Sequence, residues 1–217
     1  MSNKYKMLNG RILKHLSIKI RHKGCVMTNG DFYTKILSDQ FFPSTHTKYK
    51  DRIQTTEPRL AIPFFSKQGK LTGLTLRDYG NNPLRYIMVK INEDEPTIFG
   101  LDCISNDTPV KIVEGPLDSL FLDNCIAAAG ASFNKIKDIG LQDPIIIVDN
   151  EPRNEAICKV IHNNIKEGHR IVIWPEGIVE KDINDMVKAN LDVEEIINYN
   201  TFQNLEAELK FRTWRKC

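Results

Sequence analysis

Six carboxylates in the second half of this 217-residue sequence have types and positions that could do chemistry. Glu114 follows the apolar run VKIV, with Gly115 after it and Asp118 four residues on. Asp149 and Glu151 close the run PIIIVDNE, and Asp182 and Asp185 lie in KDIND, shortly after IVIWPEG. Acids gathered in one place repel one another and hold their protons more tightly unless a cation neutralises them. A hard divalent ion, held through one or two carboxylates, waters and substrate phosphates, is the usual solution, and Mg²⁺ (or Mn²⁺) suits such donors. Each acid alone has a plainer reading, since Asp118 and Asp182 would also suit a helix N-terminus. Three strand ends acting together favour a site.

Other chemistries find little support. The five histidines show no metal-ligand spacing, and no CxxC or CxH pair is present, so zinc is not expected. Ser119 and Ser132 lack a paired base motif. Trp174, at a strand end beside the acids, could stack on a base or simply pack. The five cysteines are odd in number and scattered, which suits reduced thiols and a cytoplasmic setting. No apolar run approaches the roughly 18 residues of a membrane span, and the basic N-terminus lacks a secretory pattern, so no membrane partner is expected.

The elements that must position these acids read as an α/β chain. RLAIPFF and KLTGLTLRDY, separated by Ser66-Lys67-Gln68-Gly69, predict a hairpin, and LRYIMVKI a third strand. From about residue 107 short β-branched runs (VKIV, CIAAAG, PIIIVD, RIVIW) alternate with helix-like segments PLDSLFLDN, FNKIKDIG and RNEAICKVIHNNIKEG. That rhythm predicts a parallel sheet flanked by helices, preceded by a smaller basic α+β subdomain. In such sheets ligands bind outside the carboxyl ends of the strands, where Glu114 and Asp149 fall. Residues 31–42 carry an amphipathic helix pattern. The expected divisions are 1–56, a basic β-rich subdomain at 57–106, an acid-bearing domain at 107–190, and a helical tail at 191–217.

Charge follows the same division. Residues 1–100 hold 17 Lys/Arg against 8 Asp/Glu, whereas residues 101–217 hold 13 against 20. A net charge of +2 thus conceals a basic half that suits a polyanion and an acidic half that suits a cation.

Taken in order, VEGPLD, VDNEPRN and KDIND resemble the toprim domain, and with IWPEG between them they resemble the primases of T-even-like bacteriophages. Upstream, RLAIPFFSKQGKLTGLTLRDYGNNPLRYI resembles the basic subdomain that precedes toprim in primases, and PTIFGLD the joining segment. The likeness spans about residues 57–190.

The resemblance implies a DNA primase, a metal-dependent nucleotidyltransferase that copies single-stranded DNA into short RNA primers from ribonucleoside triphosphates. Glu114, Asp149, Glu151, Asp182 and Asp185 match its metal ligands or their supports, with Asp118 orienting the loop around Glu114. Arg59, Lys67, Lys70, Arg77, Arg85 and Lys90 match its basic groups for template or nucleotide. The sequence departs from the family in placing Glu151 where a shorter Asp is usual, and in lacking the Asn-Ser after Tyr86. It also lacks the ligand set of the N-terminal zinc module such primases carry. The resemblance implies a replicative helicase as partner, and the missing module leaves three readings: a fragment, a split primase with a separate zinc-binding primase part, or a variant that starts primers differently. A toprim nuclease and a non-catalytic nucleic-acid-binding subunit are the competing readings.

Overall fold

The computed structural model describes residues 26–28, 59–78, 80–90, 94–129 and 139–217. The chain divides into two compact units, Met1–Cys103 and Ile104–Cys217. The helix expected at 31–42 and most of the one expected at 133–140 lie outside the described residues. Among the described residues no helix is long and apolar enough to cross a membrane.

In the first unit four strands, β1 (Val26–Thr28), β2 (Arg59–Phe65), β3 (Leu71–Asp78) and β4 (Tyr86–Lys90), form one antiparallel sheet in sequence order. The expected β2–β3 hairpin turns at Ser66–Lys70, where Ser66 O accepts Gly69 N–H at 2.8 Å and Ser66 Oγ accepts Lys70 N–H at 3.3 Å. Gly73 lets β3 approach β4 closely, since a Cβ there would stand 2.9 Å from Val89 O. Leu60, Ile62, Phe64, Leu76, Ile87 and Val89 are buried, and Phe99 packs edge-on against Phe64 with ring centroids 6.4 Å apart.

Arg59 departs from its expected role. It is only 1% exposed, and Nη1 donates to Leu84 O at 2.6 Å. It sits in register with Asp78, also buried, whose Oδ2 accepts Asn82 N–H at 3.2 Å while Oδ1 has no hydrogen-bond partner. Burial lowers the guanidinium pKa, and attraction to Asp78 opposes that shift. Arg59 is therefore withdrawn from any template surface and acts as internal counter-charge to Asp78. Because removing one partner strands a buried charge, Arg59→Met is expected to cost about 3 kcal/mol. The thermal midpoint should fall accordingly, and the double variant Arg59→Met/Asp78→Leu should recover much of the loss.

The second unit is a five-stranded sheet in the order β6-β5-β7-β8-β9, formed by β5 (Lys111–Val113), β6 (Cys125–Ala127), β7 (Ile145–Ile146), β8 (Arg170–Val172) and β9 (Thr201–Phe202). The first four are parallel, and β9 is antiparallel to β8. Among the described residues four α-helices accompany them: α1 (Glu155–Lys166), α2 (Ile183–Lys188), α3 (Val193–Tyr199) and α4 (Asn204–Trp214). The inward stripe of α1 is Cys158, Ile161 and Ile165, and that of α4 is Ala207, Phe211 and Trp214. The segment expected as a helical tail thus completes the domain, adding an edge strand and a packed helix. The helix expected over PLDSLFLDN is a single 3₁₀ turn, Asp118–Phe121. Ser119 Oγ donates back to Pro116 O at 2.8 Å, and no side chain caps the turn.

Candidate metal centre

Strand order creates the site. The chain leaves β5 for β6 on one side, then returns to place β7 on the other side of β5. Side chains at the carboxyl ends of β5 and β7 therefore face the crevice where the direction of winding reverses, the usual ligand position in open α/β sheets. Glu114 follows β5 and Asp149 follows the buried run Ile145–Val148. With Asp118, Asp182 and Trp174 they line one small cleft.

The electrostatics mark Asp149 as its centre. Its pKa is raised to about 6 by burial first, then by the charges of Glu114, Asp182 and Glu151, with Lys181 partly opposing them. An ionised Asp149 thus stands in an unfavourable field that a cation would relieve. Among the described residues, no group of three or more His, Cys, Asp or Glu side chains stands ready to enclose an ion. That is compatible with Mg²⁺, which keeps several waters and takes substrate phosphates as ligands. The donors are all hard oxygens, as Mg²⁺ or Mn²⁺ requires.

The remaining acids divide by what they touch. Asp118 Oδ1 accepts Asn184 N–H at 3.1 Å, tying the turn after β5 to the start of α2. Gly115 makes that possible, because a Cβ there would lie 2.6 Å from Asp118 Oδ2. Asp182 caps α2 by accepting Asp185 N–H at 2.8 Å, so it is both a cap and a neighbour of Asp149. Glu151 accepts Asn154 Nδ2–H at 3.1 Å and pairs with Lys181 at 3.3 Å. Asp185 is outside the cleft and pairs with Lys188 at 2.8 Å.

Two asparagines that sequence reasoning passed over hold this arrangement. Asn150 donates its backbone N–H to Lys181 O at 2.7 Å, while Nδ2 donates to Ile178 O at 2.9 Å and Glu180 O at 3.1 Å. Its Oδ1 accepts the Trp214 indole N–H at 3.1 Å. One side chain thereby joins the tip of β7, the loop leading to Asp182, and α4. Asn154 caps α1 through Ala156 N–H and orients Glu151 with its amide. An Asn before an apolar-periodic run is a recognisable N-cap signal. No comparable pattern marks Asn150. Trp174 packs rather than stacks: it is 2% exposed and donates its indole N–H to Val148 O at 2.7 Å.

The basic candidates lie in the first unit. Lys67 and Lys70 are exposed in the β2–β3 turn, and Arg85 is exposed just before β4. Arg77 stacks over Tyr86, 5.4 Å from the ring centroid. By strand alternation Arg77, Tyr86 and Lys90 share the face opposite Ile87 and Val89.

The chain is similar to known proteins in sequence and in fold. The DNA primase of Enterobacteria phage T4 is 29% identical over 187 residues, 83% of this chain and 53% of that protein. The Escherichia coli primase catalytic core superposes with a TM-score of 0.62 at 14% identity, covering 92% of this chain and 74% of that one. The fold is that of a primase catalytic core. The zinc-binding and RNA polymerase domains of the Aquifex aeolicus primase superpose at 0.60 with 17% identity, covering 96% of this chain and 63% of that one. The chain spans about half the length of the curated relative it matches. No protein-family model matches it.

The raised pKa of Asp149 has a stability consequence. A carboxyl group whose folded pKa exceeds its unfolded value near 3.8 favours the fold at low pH, and that contribution is lost as pH rises through about 6. In metal-free buffer Asp149→Asn should therefore melt above wild type at about pH 8, with the difference vanishing by about pH 4. Thermal scans across that range check it.

Proposed function

We propose that this chain is the catalytic core of a DNA primase, synthesising short RNA primers on single-stranded DNA. The observation that carries the reading is the convergence of Glu114, Asp149 and Asp182 at the winding reversal of a primase-type fold. Phosphoryl transfer asks a protein for position and charge neutralisation rather than a covalent nucleophile, and this cleft supplies acids without one.

In this reading Glu114, Asp149 and Glu151 hold Mg²⁺ or Mn²⁺, with Asp182 helping near the nucleotide phosphates and Asp185 at the periphery. The bound ion would neutralise charge on the attacking and leaving oxygens as a ribose 3′-hydroxyl displaces pyrophosphate from an α-phosphate. Asp118 fixes the loop carrying Glu114 through Asn184. Lys181 limits repulsion around Glu151 until the cation arrives, its own pKa raised by the bond to Glu151. The exposed cations Lys67, Lys70 and Arg85, with Arg77 and Lys90, hold template or nucleotide phosphates, an interaction that weakens steeply with salt. A replicative helicase is the partner in this reading, in the host cytoplasm if the protein is viral.

The test is primer synthesis. Wild type, given single-stranded template, ribonucleoside triphosphates and Mg²⁺, with and without helicase, should yield oligoribonucleotides. Glu114→Gln should lower that yield at least about 100-fold, the scale of losing one charge-stabilising group. Template cleavage without synthesis would indicate a nuclease. Template binding without either would indicate a non-catalytic subunit.

A further inference from the structure

Beside the acidic cleft, the second unit carries an open groove of about 1240 Å³. Its walls are the segment after β7, the loop around Pro175–Val179, and α4 with the residues following it. The volume exceeds the range of roughly 300–1,000 Å³ typical of a pocket for one small molecule. Arg153, Lys210 and Lys216, all exposed, line it. Against them stand Glu176 and Glu151, and the charge of Glu151 is already met by Lys181 at 3.3 Å.

The groove also offers apolar surface. Val179 is 86% exposed at its rim, and Phe202 lies beneath Lys210, whose Nζ is 5.2 Å from the ring centroid. Its wall is fastened, because Lys216 N–H donates to Pro152 O at 2.8 Å and Trp214 is tied to Asn150. Glu151 lines the groove while its charge contributes to the field at Asp149, so the groove opens directly beside the proposed reaction site. Exposed cations and apolar surface gathered in one open groove suit a flexible polyanion with stackable bases. A compact nucleotide would leave much of this volume empty, and a purely acidic peptide would gain little from Val179 and Phe202.

The geometry points to this groove as a path for a single-stranded polynucleotide, with phosphates on Arg153, Lys210 and Lys216 and bases against Val179 and Phe202. The inference rests on the proposed function only in supposing that single strands reach the neighbouring cleft. It adds a second contact surface, built by the C-terminal helix, that the basic sheet does not supply.

The test is fluorescence anisotropy of labelled 12-residue oligoribonucleotides and oligodeoxyribonucleotides, using the full chain in EDTA so that metal binding plays no part. Lys210→Glu/Lys216→Glu should weaken binding of at least one strand type about tenfold at low salt. It should also lower the salt slope by about 1.4, at roughly 0.7 per lost phosphate contact. The charge-matched control Lys159→Glu/Lys166→Glu, on exposed positions of α1, should change neither. If the first double variant does not fold, Lys216→Ala, beyond the end of α4, should weaken binding about threefold. Unchanged binding, an equal loss in the control, or displacement by polyglutamate as effective as by unlabelled oligonucleotide would overturn the inference. Intact groove binding without primer synthesis would instead count against the proposed function alone.

Discussion

Carboxylates held at one edge of a parallel sheet repel each other, and much of the second unit is arranged to hold them there. Asp149 bears the consequence most visibly, its pKa pushed up to about 6 by burial and by three acidic neighbours. A protein selected for stability alone would gain by separating these groups or replacing one with an amide. Here the fold does the reverse. Strand order places Glu114 and Asp149 on either side of the winding reversal, and the cap of α2 brings Asp182 to the same cleft. Such standing repulsion is useful where a divalent cation and a phosphate chain must be received together.

Holding the acids in place requires contacts that run well outside the cleft. Asn150 bonds the tip of β7 to three carbonyls of the loop before α2 and to Trp214 on α4. Trp174 satisfies Val148 O with its indole just before Asp149, and Asp118 reaches across to α2. The C-terminal helix is therefore part of the site's framework, and the groove it walls lies beside the acids for the same reason.

Where one physical signal dominated, the sequence was readable. RLAIPFF matches β2 residue for residue, and the apolar runs ending in Glu114 and Asp149 mark the central strands. Four of the six acids, Glu114, Asp118, Asp149 and Asp182, line the cleft. Tertiary contacts explain the rest. PLDSLFLDN has helix-forming residues, yet Ser119 bonds back to Pro116 and the Asp118 carboxylate is engaged by α2, so only one 3₁₀ turn forms. Strand β9 has two residues, too few for any periodicity to register. The resemblance to primases assigns Arg59 to template or nucleotide, but its burial depends on Asp78 and Leu84, which no local pattern links to it. Asp185 was grouped with Asp182 by proximity in sequence, but the helix turns it toward Lys188.

The central claim is that the acids around Asp149 form one divalent-cation site. Mn²⁺ binding, followed by electron paramagnetic resonance at neutral pH in wild type and in Asp149→Asn, tests it most directly. Saturable binding of Mn²⁺ by the wild-type chain, displaced by Mg²⁺ and lost or weakened at least about tenfold in the variant, is the expected result. Equal binding by both proteins, or none by either, would contradict it.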